Sequence, residues 1–247
     1  MTVQKEADVI ESGTPARTLT ALANLRDVGG LPMEDGGTTR SGVLYRSDAP
    51  FTGDAAPAHI PSWPPRVVVD LRSHREVQRS RCEWPGRTTV HHHPLHDGAA
   101  PGVTPPGDLP ELYDLILDSG AARIAALVPL VAQADGPVLI HCAVGKDRTG
   151  VAVAALLLAA GVRPDAVIAD YLATASNMPA LRQRWASVRS ARTTRPLLDN
   201  HWFETPEPAI ITVVERITTA PGGPVGWLRG HGAHDTDLHT WRERIRL

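Results

Sequence analysis

The chain has 247 residues, 42% hydrophobic and 21% charged, which suits one substantial α/β domain. A formal net charge of −2 gives no general pull toward nucleic acid or an anionic membrane, and the longest apolar run, residues 151–162, is too short to span a bilayer. Two cysteines, Cys82 and Cys142, exclude a disulfide framework, and the polar N-terminus lacks the apolar core of a secretory signal; the expected setting is a reduced cytoplasm, with non-classical export left open.

Residues 1–18 are polar and aperiodic and are expected to be a flexible tail, leaving 19–247 as one domain. Residues 24–30, a Gly-rich turn and Val43-Leu44-Tyr45 suggest a β-hairpin. The Pro-dense stretch 50–65 reads as loop or broken helix. Residues 66–73 carry three consecutive valines and give the clearest central strand; TTVHHHPL gives a second strand. Apolar positions at helical spacing across 111–134 predict a helix with a break near Ser119-Gly120. Pro137-Val138-Leu139-Ile140 is a short buried strand. Residues 149–160 are apolar nearly all round, hence a buried helix, stopped by Gly161; Pro164 begins the next, running to about Ala175. A basic amphipathic stretch, a helix within 206–223 and a last amphipathic helix complete the chain. Strands alternating with helices imply an α/β fold with a mainly parallel sheet.

The chemistry gathers in LIHCAVGKDRTGVAVA, residues 139–154. A buried strand, a tight loop and a helix start follow one another, so the helix's unpaired N–H groups and positive dipole end face the loop and favour an anion there. Gly145 lets the backbone turn amides inward, so that Ala143, Val144, Gly145 and Lys146 line a cradle, and Gly150 lets the helix come close. Cys142 lies at its base, where the same field favours thiolate over thiol. Arg148 offers a bidentate fork to phosphate oxygens as they gain charge in the transition state. Thr149 supplies a hydroxyl for the departing sulfur, and His141 reads as a fixed hydrogen-bonding partner of the loop rather than a base. The pattern is suited to phosphoryl transfer through a phosphocysteine. A Walker-type loop would need Gly-Lys-Ser/Thr, which Gly145-Lys146-Asp147 does not supply.

His-Cys-x5-Arg-Thr-Gly is also a family signature. Together with NLRDVGG at 24–30, LYRS at 44–47 and VDLRS at 69–73, it resembles the bacterial cysteine-dependent protein tyrosine phosphatases, in the branch that includes a mycobacterial secreted tyrosine/phosphoinositide phosphatase. The resemblance runs from about Leu22 to the C-terminal helix. It implies a single domain with a sheet of four to five strands wrapped by helices, no metal and no cofactor. It also implies a helical lid in some members, here to be sought in 165–195. Its substrates would be phosphotyrosine proteins or phosphoinositides, with dual specificity an option. Two aspartates compete as general acid: Asp97, placed after a strand as in the wider superfamily, and Asp147, which the branch resemblance favours. Lys146 beside the phosphate would favour substrates with a second phosphate or an acidic head group.

The competing reading is a catalytically weak, phosphate-binding pseudophosphatase or scaffold on the same fold. His91-His92-His93 alternate faces along a strand and so cannot readily share one metal ion. Asp70 and Arg72 read as a structural ion pair, residues 182–195 as a solvated basic face, and Cys82 as incidental unless it lies near enough to trap an oxidised Cys142.

Overall fold

A computed structural model describes residues 21–80, 82–95, 106–188 and 204–247. The 1–18 tail therefore lies outside the described residues. Five short strands form one sheet: β1 (Arg26–Asp27), β2 (Leu44–Ser47), β3 (Val67–Asp70), β4 (Thr89–His92) and β5 (Val138–His141). Their order is β1-β2-β5-β3-β4; β1 runs antiparallel to β2, and the other neighbours are parallel. The hairpin expectation thus holds, with Arg26 opposite Arg46 and Asp27 opposite Tyr45. The valine strand is internal but not central: that place belongs to β5, buried at all four positions, and every other strand is ordered about it.

The helices are α1 (His74–Arg79), α2 (Leu109–Ala125), α3 (Val128–Ala132), α4 (Asp147–Ala160), α5 (Pro164–Leu172), α6 (Thr174–Val188), α7 (Glu207–Thr218), α8 (Gly223–Gly230) and α9 (Asp235–Ile245). The two-residue period of the strands sorts their side chains onto opposite faces. Leu44, Val69 and Ile140 join the main helical core. Tyr45, Val68 and Leu139 pack on the other side with Leu22, Leu25 and Ile60, backed by Trp63 and Trp84. So the Pro-dense stretch, which forms no helix, covers part of a sheet face with irregular chain.

Helix α4 is buried from Thr149 to Ala160, as its all-round apolarity requires, and packs against α2, α5, α7, α8 and α9. Gly161 ends it in the left-handed region, φ 91°. Trp241 of α9 is fully buried, and its indole N–H donates to the Leu156 carbonyl at 2.9 Å.

Two expected helix courses need correction, and one helix had not been expected. Helix α2 passes unbroken through Ser119-Gly120, and the break falls instead at Ala126-Leu127, ahead of Pro129. The Ser119 hydroxyl bonds back to the Leu115 carbonyl at 2.6 Å, and Gly120 makes room for Leu95, whose carbonyl a Cβ would approach to 3.1 Å. Helix α5 stops at Leu172 and α6 starts at Thr174. Helix α8, in a Gly- and Pro-rich stretch, had no periodic signal. Of the span 165–195 where the resemblance implies a lid, residues 189–195 lie outside the described residues; within the rest, α5 packs against α4 and α7, and Arg184 of α6 ion-pairs with Asp48 at 2.8 Å and Asp54 at 2.5 Å. Among the described residues no helix is long and apolar enough to cross a membrane.

Trp241→Ala removes the largest fully buried side chain between α9 and α4, and unfolding in urea should show a loss of about 3–5 kcal/mol with the m-value unchanged.

Candidate active site

Strand β5 delivers the chain into the loop at His141-Cys142, and α4 takes it away from Asp147. Between them, three successive carbonyls are held from outside. The Ala143 carbonyl accepts the Ala49 N–H at 3.1 Å, that of Val144 accepts the Asn24 side-chain amide at 3.1 Å, and that of Gly145 accepts an Arg46 Nη2–H at 3.0 Å. The peptide planes are thereby turned so that N–H groups are left for the inner side. The Gly145 N–H lies 3.3 Å from Cys142 Sγ and donates to it. Gly145 has φ +75°, and a Cβ there would sit 2.3 Å from the Ser47 carbonyl oxygen, so the turn needs glycine on both conformational and steric grounds.

The groups that hold the loop are held in turn. Arg46, 1% exposed, ion-pairs with Asp170 of α5 at 2.5 Å, and Arg26 meets the same carboxylate at 2.8 Å. Burial lowers Arg26 to about 10, with the charge of Arg46 adding to the effect and Asp170 opposing it. Asn24 receives Arg26 Nη1 at 2.7 Å on its side-chain oxygen and donates its backbone N–H to Asp48 at 2.8 Å. Asp27 accepts the Gly29 and Gly42 N–H groups at 2.9 and 2.7 Å and fixes the turn that carries this set.

Arg148 reaches back over the loop to Glu76 of α1, two bonds of 2.7 Å each to the two carboxylate oxygens. Burial acts against the Arg148 charge, but Glu76, Cys142 and Asp147 together raise it above its ordinary value. Glu76 is also the last member of a capping box with Ser73, accepting the Ser73 N–H at 2.8 Å. Burial alone would raise Glu76; Arg148 and Ser73 outweigh it and bring the carboxyl to about 2.

His141 is 1% exposed and burial pulls it down to about 4, with Asp70 opposing, so it is a neutral ring near the Cys142 carbonyl (3.3 Å) rather than a base. Asp70 and Arg72 form the expected buried pair at 2.7 Å. Thr149 Oγ1 is buried without a hydrogen-bond partner, so it is not bonded to Cys142 Sγ here. Gly150 lets Tyr171 of α5 close in: a Cβ would lie 3.0 Å from its ring.

Asp147 Oδ1 accepts the Tyr113 hydroxyl at 2.9 Å and lies 3.4 Å from Lys146 Nζ; Tyr113 in turn lies 2.6 Å from the Tyr171 hydroxyl. Burial, then Asp147, keeps Tyr113 well above the usual tyrosine range, so it remains a donor. Lys146, expected to offer its charge to substrate, is instead fully buried and donates to the Glu204 carbonyl at 2.6 Å. Asp97 lies outside the described residues. Sequence reasoning missed Glu76, Tyr113, Tyr171 and Asp170; only Glu76 carried a local signal, the Ser73-x-x-Glu76 spacing. Both cysteines are free, and burial followed by Asp54 pushes Cys82 up to about 11, which keeps it a thiol. Among the described residues no group of three or more His, Cys, Asp or Glu could hold a metal ion.

An amide cradle over a cysteine, at a helix start and under an arginine, defines the class of cysteine-dependent phosphatases. The chain belongs to the tyrosine phosphatase family, whose model matches residues 17–246, and is a cysteine-dependent protein-tyrosine phosphatase. It is 33% identical over 206 residues to the triple specificity protein phosphatase PtpB of Mycobacterium tuberculosis, covering 68% of this chain and 72% of that one. It is also 32% identical over 170 residues, 61% of this chain, to a Cupriavidus necator protein whose name assigns it provisionally to the tyrosine-protein phosphatases; the match spans 60% of that protein, less than two thirds of it.

Because the Glu76 carboxyl falls from 4.5 to about 2 on folding, it adds stability above pH 4.5 that is lost as pH drops toward 2. Urea titrations of wild type and Glu76→Gln should therefore show a constant gap above about pH 5 that closes on acidification through this window.

Proposed function

We propose that the protein hydrolyses phosphotyrosine in proteins through a phosphocysteine, with a range that extends to other acidic phosphomonoesters. The observation that carries this reading is the outward hold on the carbonyls of Ala143, Val144 and Gly145, which leaves amides around Cys142 Sγ. Cys142, as thiolate, attacks phosphorus; the S–P bond forms as the bond to the leaving oxygen breaks. The loop amides and Arg148, aimed by its two bonds to Glu76, hold the non-bridging oxygens as they gain charge.

Asp147 is the proposed acid. Tyr113 and Lys146 both meet Oδ1, which leaves Oδ2 to carry the proton to the leaving group. Water then attacks the phosphocysteine and returns its proton to Asp147, and Cys142 departs as thiolate. Gly145 N–H, already 3.3 Å from the sulfur, and the unpartnered Thr149 hydroxyl serve that departing charge. The printed name of the mycobacterial relative supports more than one substrate class.

Turnover of p-nitrophenyl phosphate is expected in the presence of EDTA and absent in Cys142→Ser. An intact protein with no turnover between pH 5 and 8 would be a phosphate-binding scaffold instead. For phenyl phosphate, a poor leaving group, Asp147→Asn should lower kcat by about 100-fold and abolish the basic limb of the pH profile. Asp97→Asn having that effect in its place would transfer the role. Tyr113→Phe, which leaves Asp147 Oδ1 without its hydroxyl donor, should lower kcat for phenyl phosphate more than for p-nitrophenyl phosphate.

A further inference from the structure

At the carboxyl edge of the parallel strands, the exits of β3 and β4 bound a cavity of about 310 Å³ lined by Ser73, His74, His92, His93, Pro94 and Arg123. This is the edge of the sheet on which Cys142 stands, and such edges are where open α/β folds take their ligands. Three imidazoles and a guanidinium meet in it, and none of these six residues is acidic. On α1, His74, Arg75 and Arg79 outnumber one acid, Glu76, whose carboxylate is committed to Arg148.

The wall is built rather than incidental. His92 Nε2 meets the Arg72 carbonyl at 2.8 Å, His93 Nε2 meets the Arg123 carbonyl at 2.7 Å, and Arg123 donates to the Pro94 carbonyl. The His74 ring stands edge-on to His92, centroids 4.5 Å apart. Gly120 brings α2 down onto Leu95 and closes the same corner. A ring that spends its Nε2–H on a carbonyl keeps Nδ1 to take a proton when an anion is near. Burial holds His93 below the usual histidine range; the Arg123 carbonyl opposes this, and the charges of Arg123, His91 and His92 reinforce it. An anion bound beside His93 acts against that lowering.

The spacing of the sheet sets the reach. β3 separates β4 from β5. Two interstrand spacings of about 4.8 Å put the cavity about 10 Å from the cysteine loop, which is about three residues of extended chain.

We propose that this cavity is an accessory anion subsite for a peptide substrate, binding a carboxylate or phosphate side chain about three residues from the phosphoresidue held at Cys142. The proposal rests on the phosphatase reading above and names the peptide class that the same site prefers.

The test uses phosphotyrosine peptides that differ only in carrying glutamate or alanine three residues to either side of the phosphotyrosine. For one of the two directions the wild type should favour the glutamate peptide by about tenfold in kcat/KM, and the preference should fade with added salt. In the double variant His74→Asn/Arg123→Gln the ratio should drop to within about twofold, while Arg123→Lys keeps most of it. Equal turnover of all peptides by the wild type overturns the subsite and leaves the phosphatase reading standing, as does a wild type that turns over p-nitrophenyl phosphate but none of the peptides. No turnover of either peptide or p-nitrophenyl phosphate overturns both. A double variant that keeps the peptide ratio but loses turnover of phosphoinositide vesicles assigns the cavity to a lipid headgroup and overturns the peptide subsite.

Discussion

The site depends on the direction in which three peptide groups face. A carbonyl turned toward a phosphate repels it, and an amide turned toward it attracts it, so the same backbone can form either a barrier or a cradle. Here the choice is made from outside the loop, by Ala49, Asn24 and Arg46, all drawn from a stretch about a hundred residues earlier in the chain. Gly145 makes the turn conformationally permissible, but these donors select it. The positive φ and the close approach of Ser47 belong to one arrangement: the end of β2 presses against the loop and supplies its hydrogen bonds at once.

This explains why so much charge is buried around a backbone feature. Arg26, Arg46 and Asp170 form a cluster in which one carboxylate serves two guanidiniums, and Arg184 joins α6 to Asp48 and Asp54 nearby. Buried ion pairs contribute little net stability once desolvation is counted. Their value here is directional, since Arg46 can hold the Gly145 carbonyl only while Asp170 holds Arg46. Helix α4 completes the frame from the other side. With nearly every face buried, it has no freedom to slide relative to β5, so the helix start and the sulfur keep a fixed relation.

Much of this was legible in the sequence, and the divide between what was and what was not is physical. His141 through Gly150 could be read because strand, loop and helix start are contiguous, so that local chemistry implies the geometry. The valines of β3 and the apolar α4 announced themselves by pattern, though pattern alone could not say that β5 would be the middle strand. Ser119-Gly120 misled because a glycine placed for packing against Leu95 looks the same in sequence as one placed for a break. Tyr113, Tyr171 and Asp170 were invisible for a related reason. A buried tyrosine or aspartate on a helix has no spacing rule that ties it to a loop elsewhere in the chain, and only the packing of α2 and α5 on α4 brings them to Asp147 and Arg46.

Glu76 serves a helix cap and an active-site arginine at once. One of its oxygens, Oε2, receives both the Ser73 N–H that caps α1 and an Arg148 Nη1–H. The arginine is thus latched to the end of a six-residue helix with no buried side chain of its own. A helix so short and so lightly packed owes its persistence to its cap and to its neighbours. Opening the latch and fraying the helix are therefore one event, and a short, lightly packed helix determines where the Arg148 guanidinium stands.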